Sequence, residues 1–161
     1  MTEEIAPTRQ STISLRPVTA ETVRQICNLK VSEAQNRFVA PNAISIAQAY
    51  FEPKAWFRAI YADETPVGFV MLYDDPDEPT YYLWRFMIDA RYQKLGFGQR
   101  AMDLLVEHVR TRPNAQALYL SCVPYSAEPP YNGSPEPFYA RYGFVLTGKM
   151  HEGEAEMRLG L

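Results

Sequence analysis

The spacing of apolar residues changes once between residues 81 and 110, and this change organises the rest of the chain. Residues 81–88 form an unbroken apolar and aromatic run with one charge, Arg85. A run of this length and composition predicts a strand that is buried on both faces. From Gly98 onward the apolar positions recur at helical spacing, and they are Met102, Leu105, Val106 and Val109. The pattern therefore predicts a central strand that leads through a loop into an amphipathic helix.

Shorter segments on either side predict the other strands of a sheet. They are residues 11–16, 55–61, 67–73, 117–122, 144–146 and 156–159. Further helical patterns begin after Thr19 and cover residues 45–51 and 136–142. If the strand at 117–122 lies parallel to the central strand, the helix between them is a crossover. The three elements would then form a βαβ unit in an α/β domain.

Length and composition fit one globular domain. The chain has 161 residues, of which 47% are hydrophobic and 22% are charged, and these values are typical of a folded domain with a sizeable core. Residues 1–10 are polar and show no pattern. We therefore expect a flexible N-terminal tail over residues 1–10 and a single domain over residues 11–161.

Charge and targeting signals argue against several classes of partner. The net charge is −3 and no Lys/Arg cluster stands out, so we expect no nucleic-acid partner. The N-terminus lacks the regions of a signal peptide and no apolar run approaches a membrane span, which predicts a cytoplasmic protein with no membrane partner. His108 and His151 have no ligand-like spacing to Cys or Asp, so we expect no metal site.

The loop between the central strand and the helix contains two glycines, Gly96 and Gly98. They remove two Cβ atoms where the first free N–H groups of the helix point outward, so an anionic group could approach the bare backbone. The lysine and hydroxyl of a P-loop and the third glycine of a dinucleotide fingerprint are both missing. The loop predicts phosphate binding; an alternative is that the glycines only permit close packing of strand and helix.

The loop sequence Gln93-Lys-Leu-Gly96-Phe-Gly98 matches the Q/R-x-x-G-x-G/A loop of the GNAT superfamily of N-acetyltransferases, and the chain resembles that family. The segment Trp84-Arg-Phe-Met-Ile-Asp89, followed by Tyr92-Gln93, is similar to the bacterial spermine/spermidine (diamine) N-acetyltransferase branch. The resemblance implies a GNAT fold: a mixed, twisted sheet of six to seven strands, about four helices and a central βαβ unit for acetyl-CoA. Acetyl-CoA would be the co-substrate, with its pantetheine arm in a wedge between the two parallel strands.

The resemblance also implies a set of site residues. The family pattern N-x-x-x-x-x-F-Y-x-x-x-G-F is found at Asn132 to Phe144 and makes Tyr139 the general acid for the departing thiolate, with Tyr142 in reserve. A backbone N–H near Met87 or Ile88, where the family usually has a bulge, would polarise the oxyanion. The expected acetyl-CoA residues are Met87, Ile88, Gln93, Lys94, Leu95, Gly96, Phe97, Gly98, Gln99, Arg100, Asn132 and Tyr139. Tyr139 could instead only pack between helix and sheet.

The sequence indicates less clearly which residues bind and deprotonate the acceptor amine. Some relatives carry a basic carboxylate on the central strand, but Trp84 and Arg85 occupy that stretch here. We expect a water chain as the substitute, reaching Glu33 or Glu128. Trp84 would share one strand face with Phe86 and Tyr82 and offer an aromatic wall to an alkylammonium group; ordinary core packing of Trp84 is the alternative.

The resemblance predicts acetyl transfer from acetyl-CoA to a primary amine of a small polyamine or diamine such as spermidine or spermine. Two alternatives stay open: an acceptor amine on a protein, a peptide or an aminoglycoside, and an acyl-CoA-binding module without turnover. The partner would be a small-molecule amine, and the habit of the family makes a homodimer possible.

Overall fold

A computed structural model describes residues 5–126, 128 and 133–161. It contains a seven-stranded sheet in the order β1-β2-β3-β4-β5-β7-β6. The strands are β1 (Ile13–Arg16), β2 (Ala55–Ala62), β3 (Thr65–Asp75), β4 (Thr80–Ile88), β5 (Ala117–Cys122), β6 (Val145–His151) and β7 (Glu154–Gly160). In the described part of the chain the α-helices are α1 (Val23–Cys27), α2 (Asn42–Phe51), α3 (Phe97–Arg110) and α4 (Glu136–Tyr142). A 3₁₀-helix, Glu33–Phe38, lies between α1 and α2, and a second, Ala90–Tyr92, precedes α3.

The connections confirm the predicted mixed sheet. Strands β1 to β4 are antiparallel neighbours, and β5 pairs antiparallel with β7, which pairs antiparallel with β6. Strands β4 and β5 are parallel and are joined through α3, so the expected βαβ unit is present. Their ladder consists of one residue pair, Tyr82 with Tyr119, near the start of each strand. The two strands therefore separate toward their C-terminal ends and leave a gap in the sheet.

Each face of the sheet carries its own hydrophobic core. On one face, α3 buries Met102, Leu105, Val106 and Val109, the four residues of its predicted stripe, together with Phe97. On the other face, α1 and α2 cover a smaller cluster around Ile26, Phe69 and Met87. The gap between β4 and β5 thus lies between two packed layers.

Strand β4 contains a β-bulge at Trp84. Met71 of β3 pairs with Arg85 and the next residue, Leu72, pairs with Leu83, so Trp84 is the extra residue. The bulge resets the alternation of side chains. Trp84 packs with the α1–α2 cluster and Phe86 packs with the α3 cluster. The prediction that Trp84 and Phe86 share a face is therefore wrong, and the bulge does not lie at Met87 or Ile88.

The last hairpin is longer than its sequence pattern predicts. The connection expected over residues 147–154 is reduced to Glu152 and Gly153, both of which have positive φ angles, 50° and 87°. Such a two-residue turn matches the twist of the paired strands. All residues of β6 are exposed, which explains why no alternating apolar pattern marked its full length. The tight turn makes Glu154 the first residue of β7.

Part of the segment predicted as a flexible tail is held against the domain. Arg9 donates from Nη2 to the carbonyl oxygen of Lys94 at 2.8 Å, and Arg100 donates to the carbonyl oxygens of Ser11 and Arg9 at 2.6 and 3.0 Å. In the described ranges, no helix is long and apolar enough to cross a bilayer.

Candidate active site

A cavity of about 1460 Å³ passes through the gap between β4 and β5. Its lining residues come from both faces of the sheet. One side is formed by the start of α3 and by α4, and the other by the 3₁₀-helix Glu33–Phe38, the bulge of β4 and the start of β7. We call these the α3 side and the β7 side. Two ligands that meet in the gap could enter from opposite sides.

The N-terminus of α3 presents bare backbone to the cavity. Gly96 is the N-cap residue with φ 80°, and a Cβ atom built on it would meet no atom within 4 Å. The first turn of α3 contains no acidic residue, and its free N–H groups and the helix dipole favour an anion. Open space over these amides fits a pyrophosphate group.

The second glycine has a different role. A Cβ atom on Gly98 would lie 3.2 Å from the ring of Phe138, which is closer than ordinary van der Waals contact. Gly98 therefore lets α3 and α4 approach each other. The two alternatives drawn from the sequence apply to different residues, since Gly96 leaves the backbone open and Gly98 permits close packing.

One of the side chains that flank this loop, Gln93, is engaged within the protein. Gln93 donates from Nε2 to the Ile88 carbonyl oxygen and to Gln35 Oε1, both at 2.8 Å. This ties the loop to the end of β4 and to the 3₁₀-helix Glu33–Phe38. Of the predicted acetyl-CoA residues in the loop, Gln93, Lys94, Gly96, Phe97, Gly98 and Gln99 line the cavity, and Leu95 and Arg100 do not. The loop would therefore bind an anion through its backbone amides, with Lys94 beside it.

The ladder between β3 and β4 separates the two candidate oxyanion donors. Asp89 N–H donates to the Val67 carbonyl oxygen at 2.8 Å, so by alternation the amide of Met87 also points toward β3. The amide of Ile88 points to the opposite edge, which faces the gap. Both residues line the cavity, but the backbone direction favours Ile88 as the N–H donor to a group in the gap.

Tyr139 lies on α4 with its ring packed edge-on between Phe138 and Phe144. Its side chain is buried, it lines the cavity, and among the described residues it has no hydrogen-bond partner for its hydroxyl. Burial raises the pKa of Tyr139 above its ordinary value. The phenol therefore stays protonated and is available as a donor. The neighbouring Cys122 thiol, whose pKa burial raises to about 11, is a poor nucleophile at neutral pH.

The reserve candidate, Tyr142, is engaged elsewhere. Its hydroxyl donates to Asp103 Oδ1 on α3 at 2.7 Å, and burial together with this carboxylate raises the pKa of Tyr142. Tyr139 is the freer donor of the two. The predicted pantetheine contact Asn132 lies outside the described residues.

The β7 side carries a hydrogen-bonded chain that the sequence did not reveal. The Tyr82 hydroxyl donates to Ser121 Oγ, and Ser121 Oγ donates to Glu154 Oε2 at 2.8 Å. Tyr82, Ser121, Glu154 and Trp84 all line the cavity. Glu33 and Glu128 are exposed, and neither is among the described lining residues. Glu154 is brought to Ser121 by the pairing of β5 with β7, a long-range contact without a local sequence signal.

Arg85 adds a positive charge to the same side. It donates to the Trp84 carbonyl oxygen at 2.9 Å and to Gln48 Oε1 at 3.1 Å, and its buried Nε has no hydrogen-bond partner. Burial lowers the pKa of Arg85, and the charge of Glu154 partly offsets this effect. In the described part of the chain, no group of three or more His, Cys, Asp or Glu residues is placed to hold a metal ion.

The glycine-capped helix beside a gap between two parallel strands, with a protonated tyrosine in the gap, defines an acyltransferase of the acyl-CoA-dependent class. The chain belongs to the Acetyltransferase (GNAT) family, whose sequence profile matches residues 23–144. This confirms the resemblance that the loop and the tyrosine pattern indicated. The enzyme class is N-acetyltransferase, and acetyl-CoA is the co-substrate.

Among individual proteins, the chain is similar to the spermine/spermidine N(1)-acetyltransferase of Bacillus subtilis strain 168, with 27% identity over 148 residues, 86% of this chain and 91% of that protein. Its fold is similar to an aminoglycoside 6′-N-acetyltransferase crystallised with coenzyme A, with TM-score 0.69 and 13% identity over 92% of this chain and 96% of that chain. It is also similar to the PaiA N-acetyltransferase of Thermoplasma acidophilum in complex with coenzyme A, with TM-score 0.66 and 14% identity over 93% and 99% of the two chains. At these identities the two crystal structures establish the fold alone.

Proposed function

We propose that this chain transfers the acetyl group of acetyl-CoA to a primary amine of a small polyamine or diamine, such as spermidine or spermine, by direct transfer in a ternary complex. The observation that carries the proposal is the cavity between β4 and β5. It opens to the α3 N-terminus and Tyr139 on one side and to the carboxylate of Glu154 on the other. The donor and the acceptor can therefore meet in the gap.

On the α3 side, the backbone amides of residues 95–100 would hold the pyrophosphate of acetyl-CoA. The Ile88 amide would stabilise the oxyanion, as a donor that the strand holds in place before the charge develops. Tyr139 would protonate the departing thiolate, because burial of its side chain raises the pKa of its hydroxyl and no described residue is its hydrogen-bond partner. Asn132 stays a predicted contact of the pantetheine arm.

Two features support the polyamine as acceptor. The curated relative at 27% identity is named for spermine and spermidine. The β7 side also offers the carboxylate of Glu154 and the ring of Trp84, and a carboxylate with an aromatic face suits an alkylammonium group. Glu33 and Glu128 stay predictions, and their exposed positions make Glu154 the stronger candidate.

One observation favours a second acceptor class, the amine of a peptide or protein. Arg85 places a guanidinium group with its positive charge on the β7 side. A peptide acceptor could offer a carbonyl oxygen to the guanidinium group, whereas a second ammonium group of a polyamine would be repelled by it.

The test is release of CoA thiol at fixed acetyl-CoA with spermidine, a peptide with a free N-terminus and an aminoglycoside as alternative acceptors. The proposal expects saturable release with the highest kcat/KM for spermidine. A preference for the peptide or the aminoglycoside would keep the enzyme and overturn the polyamine. Thiol release with none of the three would contradict the proposed acceptor classes together. A homodimer and a cytoplasmic location stay predictions from the sequence.

A further inference from the structure

Two acidic residues line the described part of the cavity, Asp103 and Glu154. Asp103 lies on α3 and accepts the hydroxyl hydrogen of Tyr142. Glu154 begins β7, where Ala155 and Met157 are buried and Met157 packs into the α3 core. By strand alternation Glu154 points to the opposite face, where the acceptor would enter. Glu154 is therefore the cavity acid on the acceptor's side.

The carboxylate of Glu154 is oriented by a chain of hydrogen bonds with one direction. Tyr82 donates to Ser121 Oγ, so the proton of Ser121 is left to be donated to Glu154 Oε2. This holds one carboxylate oxygen. Among the described residues no hydrogen bond reaches the other oxygen, Oε1, so it is available to an ammonium group.

The other titratable groups near Glu154 are held in the protonated form or are engaged by another residue. Burial raises the pKa of Tyr82 above its ordinary value and the pKa of Cys122 to about 11. Arg85 on β4 is a cation. On β6, His151 is the backbone partner of Glu154, and its ring is paired with Glu156 at 3.0 Å. Glu154 is the carboxylate in this set with an oxygen that no described residue occupies.

We propose that Glu154 binds the ammonium group of the acceptor and takes its proton, with Ser121 and Tyr82 as positioning residues; this rests on the proposed function. Glu154 Oε1 accepts one N–H proton, and the freed electron pair of the amine forms the C–N bond. The C–S bond breaks, its electron pair stays on sulfur, and Tyr139 supplies the proton of the thiol. The nitrogen then loses a second proton to solvent, and solvent returns one proton to Tyr139. Of the two protons that the ammonium group loses, one is thus balanced by the thiol proton, and the reaction releases one proton.

The decisive variant is Glu154→Gln, which keeps the shape of the side chain and an oxygen for Ser121. At pH 7 the amines of spermidine are cationic, and we expect kcat/KM for the acceptor to fall about 100-fold or more, the usual contribution of a general base. As the pH rises toward 9.5 the free amine becomes common, so the deficit of the variant will shrink about tenfold. Calorimetry on the CoA-saturated protein will show weaker spermidine binding, while the affinity for CoA alone stays unchanged.

The matched control is Glu156→Gln. Glu156 lies two residues further along β7, on the same face, but its carboxylate is held by Thr147 and His151 and it does not line the cavity. It should leave the kinetics and the pH profile unchanged. Ser121→Ala and Tyr82→Phe should each lower kcat/KM on the order of fivefold, as for one lost hydrogen bond, and Ser121→Thr should restore activity.

The outcomes distinguish a failure of this inference about Glu154 from a failure of the proposed function. Full activity of Glu154→Gln with an unchanged pH profile, on a wild type that acetylates spermidine, would overturn the role of Glu154 and leave the proposed function intact. A wild type that releases no thiol with any amine would overturn the function itself. A deficit that is the same at pH 7 and pH 9.5 would show that Glu154 is not the base.

Discussion

The two sides of the cavity are built in different ways. On the α3 side, the proposed binding groups are backbone amides at the start of one helix, and a single glycine, Gly96, keeps them open. On the β7 side, the proposed binding group is the side chain of Glu154 of β7, which Ser121 of β5 and Tyr82 of β4 position through hydrogen bonds. The donor side is thus a local structure, whereas the acceptor side depends on the register of the sheet.

This difference suits the two ligands. A pyrophosphate is the same in every acyl-CoA, and backbone amides can bind it with little dependence on side chains. An acceptor amine differs between enzymes, and side chains on strand ends can change without disturbing the helix that holds the donor. Variants on one side should therefore affect one substrate only.

The largest effect on activity is expected at Tyr139, where the two sides of the cavity meet. Tyr139→Phe should lower kcat on the order of 100-fold or more and leave the affinity for CoA unchanged, because the proposed role of the hydroxyl is to protonate the departing sulfur. Since the pKa of Tyr139 is raised, the wild type should keep its activity up to about pH 10, the ordinary pKa of a phenol. Steady-state kinetics over pH will measure both.

Tyr142→Phe is the matched control, because its hydroxyl is held by Asp103. Tyr142→Phe should lower kcat a few-fold at most. If Tyr142→Phe lowered kcat more than Tyr139→Phe, the reserve candidate Tyr142 would be the general acid.

A second prediction concerns Asp89, whose hydrogen bonds link the two sides. Asp89 is buried and accepts the N–H of Lys30 at 2.9 Å and the Nε–H of Arg91 at 2.9 Å, and so links the segment after α1 to the loop before α3. Asp89→Asn should lower the free energy of unfolding by about 2 kcal/mol at pH 7, the value of hydrogen bonds to a charged group. Urea denaturation will measure this loss.

The pH dependence of that loss has a definite sign. Burial alone would raise the pKa of Asp89, but the hydrogen bonds from Arg91 and Lys30 hold it below its ordinary value. A lowered pKa stabilises the fold above about pH 4, the unfolded value, and the stabilisation is lost as the pH falls further. The difference in the free energy of unfolding between wild type and Asp89→Asn should disappear below that pH. The control is Asp63→Asn. Asp63 is an exposed carboxylate that accepts the N–H of Thr12, and this substitution should lower the free energy of unfolding by less.

A third prediction tests the donor side by itself. Gly96→Ala puts a Cβ atom into the space over the amides, and we expect CoA to bind about tenfold more weakly, with about 1 kcal/mol of backbone strain. Gly148→Ala is matched to it, because Gly148 also has positive φ, 90°, and open space around its Cβ position, but lies on β6. Both variants should lose similar stability. Equal losses of CoA affinity in the two would contradict the anion site at α3.

The smallest effect concerns the acceptor side. Arg85→Gln removes a positive charge, so KM for spermidine should fall about threefold while KM for a peptide acceptor should rise. Arg58→Gln is the control: Arg58 also donates to the carbonyl oxygen of the preceding residue and lies over a tryptophan ring, but it does not line the cavity. A rise of KM for spermidine in Arg85→Gln would contradict the repulsion between Arg85 and a polyamine, from which the second acceptor class was argued.

Much of the donor side could be predicted from the sequence. The stripe Met102, Leu105, Val106 and Val109 and the strand Ala117–Cys122 were found from periodicity and are confirmed. The helix Glu136–Tyr142, which carries Tyr139, was also found at its observed bounds. These elements are signalled within about a dozen neighbouring residues, because one helix or strand needs one local pattern.

The acceptor side could not be predicted in the same way. The sequence pattern predicts that Trp84 and Phe86 share a face, but one bulge, set by the pairing of β4 with β3, puts their side chains on opposite faces. The carboxylates that were predicted to end the water chain, Glu33 and Glu128, are exposed, and Glu154 was not among the predicted residues. Gln35, whose side-chain oxygen accepts a hydrogen bond from Gln93, was not predicted either.

The sequence by itself determined the family, the βαβ unit, the bare helix N-terminus and the tyrosine of α4, since each depends on residues close together in the chain. The tertiary structure decided which side chains share the acceptor's side of the gap. Glu154 meets Ser121 and Tyr82 only because β7 pairs with β5 and β5 runs beside β4. Contacts between residues so far apart depend on strand register, and a shift of one residue would turn each of these side chains to the other face.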